Sequence, residues 1–326
     1  MAIIKKYWFL IALSILLVAG YFSASSLEWL ADIEWLKWSV VFVTMFLMAW
    51  PISFGQVTAT LRDPRPALLA SFLNVGVIPL LAWPFAGWAG PELGPGILIA
   101  AATPSTLASA AVLTRRAMGN AQVAVMVTIL TNASCFLVLP FWIFLQTGNQ
   151  LDGDLLTQTI YKLLLFVVVP MSLGQLARTH LRSATWATEK RSMLGVIALT
   201  GVLSIVFLGA IKFGIRMQTA APDQPTLSTF QFLYTLGVVA SLHVSVFWLG
   251  YWTSRMLRFS SGDQIAVAFS GSQKTLMIGL STSLVLGISI IPIVLFHTSQ
   301  LLIDAVWAER IRVQQEQKNP VDSTGQ

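Results

Sequence analysis

Cysteine occurs once in this chain of 326 residues, at position 135. A lone thiol excludes an internal disulfide and any metal centre built from several cysteines, and Cys135 reads as an inert buried thiol. Charge is scarce as well. Lys and Arg number 20 and Asp and Glu 14, about a tenth of the residues, where soluble domains carry roughly 25%. That scarcity excludes an ordinary soluble enzyme, a disordered chain and a nucleic-acid binder. No phosphate-cradling glycine loop, metal-ligand spacing or nucleophile–base set is present, so the chain reads as neither an enzyme nor an ATP-driven pump, and no cofactor is implied. What it has in abundance is apolar. Hydrophobic residues make up 56% and the mean hydropathy is +0.74, which points to the bilayer as solvent.

A bilayer core about 30 Å thick takes roughly 20 apolar residues per helix. On that rule the sequence predicts an all-α polytopic membrane protein of ten spans, at 7–25, 38–57, 67–88, 95–113, 121–146, 155–177, 193–213, 228–252, 263–284 and 287–307. The joints carry turn and charge signals, such as Arg62-Asp63-Pro64-Arg65-Pro66 and Asp152-Gly153-Asp154. When the joints are assigned alternately to two faces, fifteen of the twenty basic residues fall on one face and four on the other, with Lys274 left over. Basic residues mark the cytoplasmic side, so both termini are expected there. The first span reads as a retained helix rather than a cleaved leader. Residues 1–308 form one transmembrane unit and 309–326 a polar cytoplasmic tail. Trp29, Trp35, Trp88, Trp252 and Trp307 fall near span ends and read as interface anchors.

Two spans carry helix-breaking signals. Span 4 contains Ala102-Thr103-Pro104-Ser105-Thr106-Leu107, and span 9 contains Ser270-Gly271-Ser272-Gln273-Lys274-Thr275-Leu276. Thr106-Leu107 overlays Thr275-Leu276, and each span is the fourth of five in its half. Five is odd, so the halves face opposite ways, as in transporters built from two inverted repeats. Pro104 and Gly271 are the expected breakers. Non-helical backbone at membrane depth is tolerated only inside protein or along a wet cavity, so the two breaks are expected to meet and frame a site.

The run Pro104-Ser-Thr-Leu-Ala-Ser109, Gly119-Asn120, the polar face Thr128, Thr131, Asn132, Ser134, and above all Phe269-Ser-Gly-Ser-Gln-Lys-Thr-Leu276 resemble the bile acid:sodium symporter superfamily. The likeness is to its bacterial SBF-like branch, which has a human orphan member, and it covers spans 2 to 10. The resemblance implies a panel (spans 1, 2, 6, 7) and a core (spans 3–5 and 8–10), with broken helices 4 and 9 crossing, in a bacterial inner membrane. It also implies where sodium would bind: Ser109, Thr128 and Gln273 match ligand positions of the family's symporters. Ala110, Ala124 and Phe269 stand where that pattern has Asn, Ser and Glu, so the sodium set is degraded, and sodium or proton coupling both remain open.

No acidic residue falls mid-span on this reading; Asp263 and Asp304 lie near cytoplasmic ends. The mid-span charge is Lys274. A charge at the bilayer centre costs roughly 2.5–3.5 kcal/mol and marks a functional position. Lys274 can replace a bound cation, held by carbonyls and by hydroxyls such as Ser272 and Thr275. It can bind an anionic substrate, or cycle a proton. The plain alternative is snorkelling to an interface. Expected around it are Ser270, Ser105, Thr106, Ser109, Thr128, Asn132, Gln273, Asn74 and His243; inter-helix hydrogen bonds, worth about 0.6 kcal/mol each, are the commoner purpose of such residues. His297 reads as a packing histidine or a proton relay. The function expected is secondary transport of a small organic anion. The alternatives are a proton- or cation-coupled exchanger of the same fold and a non-transporting regulator of ion homeostasis. The partners implied are the solute and lipid, not nucleic acid, and the sequence assigns no oligomeric state.

Overall fold

A computed structural model describes residues 2–52, 58–107, 109–147, 153–219 and 228–318. Among the described residues the regular structure is entirely helical. Six helical runs are each long and apolar enough to cross a membrane: Arg65–Ala102, Ala121–Leu145, Leu156–Ala177, Arg191–Thr219, Thr229–Met256 and Ile291–Gln317.

The chain opens with α1 (Ala2–Phe22) and α2 (Ala24–Asp32). The two meet at Ser23 with a bend of 103°, so the first predicted span is turned aside at its end. Next come α3 (Glu34–Ala49), the short α4 (Thr58–Arg62) and α5 (Arg65–Phe72). A π turn at Leu73–Val77 joins α5 to α6 (Ile78–Ala86). Pro79 has no N–H to return to the carbonyl of Val75, and that carbonyl accepts the indole N–H of Trp142 at 2.8 Å instead. The wide turn carries Asn74 into the interior, where it is fully buried.

The 38-residue run Arg65–Ala102 is not one rod. Gly90 has φ +78°, a value that only glycine adopts without strain. Across it, an added Cβ on Gly94 would stand 2.2 Å from the Ala86 carbonyl oxygen. Residues eight apart in a continuous helix are about 12 Å apart, so the chain reverses here and α7 (Gly90–Ala102) runs back beside α6.

The chain continues through α8 (Ser109–Arg116), α9 (Ala121–Thr147), α10 (Gly153–Leu163), α11 (Val169–Ala177), α12 (Leu181–Glu189) and α13 (Arg191–Thr219). It ends with α14 (Thr229–Met256), α15 (Ser261–Ser272), α16 (Leu276–Val285) and α17 (Ile291–Lys318). α13 packs against α1, α2 and α3, while α14 packs against α15 and α17, and α15 against α5, α8 and α9. Small residues permit the close approaches, as membrane packing requires: Gly20 of α1 fits against Ala210 of α13, and Gly214 against Ala24. Trp29, Trp35, Trp88 and Trp252 are exposed, as interface anchors should be. Trp307 differs. It lies against the buried His243 ring, centroids 6.2 Å apart and nearly parallel.

Candidate functional site

The helical ladder is interrupted twice. α7 stops at Ala102, and Thr103 is already extended at ψ 151°, as expected of a residue preceding proline. The second gap lies at Gln273–Thr275 between α15 and α16, with Gln273 and Thr275 extended. The two gaps touch: Thr275 N–H donates to the Pro104 carbonyl at 2.9 Å. Pro104 breaks its helix as expected. Gly271 does not; α15 continues through it to Ser272, and Gly271 instead lies close against Ala70 of α5. The second break is held open by its partners.

Broken helices leave backbone carbonyls without intrahelical donors, and buried carbonyls need partners. Asn74 supplies one amide to three of them: Nδ2 lies 2.7 Å from Gln273 O, 3.3 Å from Gly271 O and 3.4 Å from Ser270 O. Ser105 Oγ donates to Ser270 O at 2.9 Å. Asn132 Nδ2 donates to Ser105 O and Thr128 O, each at 2.8 Å, and Thr131 Oγ1 accepts from Ser105 N–H at 3.1 Å. Gln300 of α17 accepts from Lys274 N–H and donates to Lys274 O, both at 2.8 Å.

Lys274 is fully buried. Its ammonium donates to Asn74 O at 2.6 Å and Thr103 O at 2.8 Å, with Asn74 Oδ1 at 3.4 Å. An ammonium has three donors, and three oxygens surround it. It does not snorkel. The hydroxyls expected to help are directed elsewhere: Ser272 Oγ turns back to Ala268 O and Thr275 lines the cavity, while neighbouring Ser270 Oγ turns back to Ala266 O. Carbonyls alone, with one amide, hold the cation at the C-terminal end of α7, where the helix dipole also favours positive charge.

A second polar chain runs behind the crossing. Ser109 Oγ donates to Gln273 Oε1 at 2.9 Å, and Gln273 Nε2 donates to Asp304 Oδ2 at 2.5 Å. Asp304 Oδ1 lies 2.9 Å from His243 Nε2, and His243 Nδ1 lies 3.2 Å from Ser272 O. Asp304 is fully buried, which corrects its expected place near a span end: the interior does contain a carboxylate. The sequence reading missed Asp304 and Gln300, although His297, Gln300 and Asp304 recur at three and four residues, one polar stripe on an otherwise apolar helix.

Ser109 and Gln273 meet, and Thr128 bonds the backbone of Thr106, but the three do not form a sodium cage. Gln273 Oε1 and the Ser109 hydroxyl are spent on each other, and Thr128 Oγ1 donates to Thr106 O at 3.1 Å and Ala124 O at 2.9 Å. Asn132 Oδ1 is buried without a protein partner, one oxygen where sodium takes several. The residues present do not fit the ion.

A cavity of about 450 Å³ opens on the crossing. Its polar wall is Thr106, Ser109, Thr275 and His297; Arg116 lies at its rim, and Met48, Leu199 and Val202 of α3 and α13 close the apolar side. The wall is formed by the N-terminal ends of α8 and α16. Thr275 makes no side-chain cap on α16, so the first-turn N–H groups of that helix have no intrahelical partner.

Two crossed broken helices with a buried lysine beside a cavity define a membrane protein of transporter type. The SBF-like CPA transporter family model matches residues 7–313, and the chain belongs to that family. The Escherichia coli K12 protein named "Putative symporter YfeH" is 25% identical over 318 residues, covering 94% of this chain and 92% of its own. Xenopus laevis "Sodium/bile acid cotransporter 7-B" is 20% identical over 333 residues, covering 95% and 92%. Mouse "Sodium/bile acid cotransporter 7" is 21% identical over 271 residues, covering 79% and 77%.

Proposed function

We propose that this chain is a secondary transporter of a small amphipathic organic anion, bound in the cavity beneath the crossing. The observation that carries the reading is the convergence of two half-helix N-termini, α8 and α16, on one cavity of about 450 Å³. Helix N-termini attract negative charge, and discontinuous helices that point them at anionic substrate groups recur in transporters. The Lys274 ammonium, bonded to Thr103 O, lies behind the same wall and adds positive charge there while it is protonated. The opposite wall is aliphatic, which suits an anion with an apolar body. Relatives named sodium/bile acid cotransporters support that solute class.

The reading has an architecture. Ten spans in two inverted five-helix halves carry the breaks at equivalent places. α1, α3, α11 and α13 belong to the panel; α5 to α9 and α14 to α17 form the core. The solute lies between the two, and the core moves against the panel. Both termini are cytoplasmic in a bacterial inner membrane, so Arg116 and Arg191, which lines the neighbouring cavity of about 510 Å³, draw anions from the cytoplasmic side.

Flux in proteoliposomes tests this. A panel of carboxylates and sulfonates with apolar bodies is expected to include a transported solute, and Lys274→Met is expected to abolish its uptake while the protein remains monodisperse. Uptake by Lys274→Met equal to that of the parent overturns the role of Lys274, and no flux with any anion overturns the reading.

A further inference from the structure

We propose that His243 and Asp304 together form a proton-binding site, and that the proton held there is the ion that moves with the anion. The inference rests on the transporter reading above and assigns its coupling ion.

The two residues come from α14 and α17, and both are fully buried. The aromatic rings of Phe296 and Trp307 stand against the imidazole, 6.4 and 6.2 Å away between centroids. Water is kept out on those sides. The hydrogen count is fixed by the partners. Ser272 O is a carbonyl and can only accept, so His243 Nδ1 carries a hydrogen. His243 Nε2 and Asp304 Oδ1 stand 2.9 Å apart, and a bond at that distance requires a second hydrogen between them. Asp304 Oδ2 is occupied by the Gln273 amide. The pair is therefore loaded with one removable proton, whether written as imidazolium and carboxylate or as imidazole and carboxylic acid. Both forms are neutral overall. Removing the proton leaves a lone negative charge in a dry interior, at a cost of several kcal/mol unless water or a cation reaches it. A proton stays while the site is closed and leaves when the site opens, which is what a coupling ion must do.

The surroundings contain few other charges. The α15–α16 gap brings Lys274 and α17 brings His297 besides Asp304. α7 carries Glu92 at its far end, bonded to Arg216. Arg116 of α8 is paired with Glu309, beyond Asp304 on α17. With Lys274 protonated, a loaded pair gives the crossing a net charge of +1 and an unloaded pair zero. A monoanion is held best by the loaded state, so proton and anion load and unload together. Contact between the two sites is direct. Gln273 bonds Asp304 with its amide nitrogen and Ser109 with its oxygen, and Ser109 lines the cavity. An anion that takes the Ser109 hydroxyl releases Gln273 Oε1 and so alters the donor on Asp304.

The test needs no known solute. Infrared difference spectra of the purified full-length protein between low and high pH are expected to show carboxyl and imidazole bands. These should be lost in Asp304→Asn, displaced in Asp304→Glu, altered in His243→Gln and unmoved by exchanging sodium for potassium. Spectra of the parent and Asp304→Asn that superimpose, with both proteins monodisperse, overturn the site; so do bands that sodium displaces. Where a solute is found, one pH unit across the vesicle should drive about tenfold accumulation, the factor that one pH unit sets, and Asp304→Asn should transport without accumulating. Flux indifferent to the pH gradient overturns the coupling while the transport reading stands. Absence of all flux overturns the transport reading, and the infrared bands still decide the proton site.

Discussion

Gln300 grips the backbone of Lys274 with both ends of its amide, accepting from the N–H and donating to the carbonyl at 2.8 Å each. The grip replaces, at a break in α15–α16, the two bonds a continuous helix would have supplied. Gln300→Met keeps the length of the side chain, orphans the N–H and leaves the carbonyl only the His297 ring nitrogen, 3.1 Å away. An orphaned buried backbone group costs about 1–3 kcal/mol, so the variant is expected to melt several degrees below the parent in detergent. Gln300→Glu retains the acceptor for the N–H and leaves the carbonyl to His297 alone, and should fall between the two. Equal melting of all three proteins contradicts the claim that side chains hold this break open.

Asn74 is the stricter case, because one residue serves both sides of the site. Its amide nitrogen covers the carbonyls at the end of α15, and its backbone carbonyl receives the Lys274 ammonium. Asn74→Asp keeps the shape, removes the donor and adds a carboxylate beside the cation. The expected result is a folded protein with anion uptake reduced at least as much as in Asn74→Ala, since the new charge cancels the one that attracts the solute. Flux through reconstituted vesicles checks it. Higher uptake in Asn74→Asp than in Asn74→Ala counts against an electrostatic role for Lys274.

Much of this was legible in the sequence because hydrophobic length and punctuation are local properties. The breaks were announced by Thr103-Pro104 and by Ser-Gly-Ser before Gln273; of the residues expected around Lys274, Asn74 bonds its ammonium, together with Thr103. What was not legible depends on partners far along the chain. Gly271 loosens a helix in isolation, yet the break falls after Ser272, because Asn74, almost 200 residues away, and Gln300 cap the open carbonyls there. Asp304 looked like a span-end acid because an unpaired charge is too costly in the interior. His243, 61 residues away, removes that objection, and no local pattern shows which two helices will touch.

Close packing gives a contrast that separates side chain from backbone. A Cβ on Gly201 of α13 would stand 2.1 Å from Thr44 Oγ1 of α3, whereas on Gly94 it would meet the Ala86 carbonyl oxygen at 2.2 Å. A hydroxyl can rotate or be removed; a carbonyl within a tight reversal cannot. Overpacking costs about 1–3 kcal/mol. Gly201→Ala is expected to lower thermal stability by that order, and Thr44→Ala to restore most of it, a coupling a double-mutant cycle reads directly. Gly94→Ala should be the more damaging of the two. A Gly94→Ala protein as stable as the parent contradicts the reversal at Gly90.

The last expectation concerns movement. Arg216 of α13 donates to Glu92 of α7 at 2.7 Å and to the Gly287 carbonyl at 3.3 Å. One guanidinium thus ties the proposed panel to two segments of the proposed core, on the face away from Arg116. An exposed ion pair adds only about 0–1 kcal/mol to stability, so Glu92→Gln should scarcely move the melting temperature. The same energy weighs more in an equilibrium between two nearly equal conformations, where about 1 kcal/mol changes the populations several-fold. A Ser109→Cys reporter with Cys135→Ala, in vesicles with the Glu92 face outward, is therefore expected to react several-fold faster with an impermeant maleimide when Glu92→Gln is added. An unchanged rate shows that this contact does not hold the cavity closed on that face.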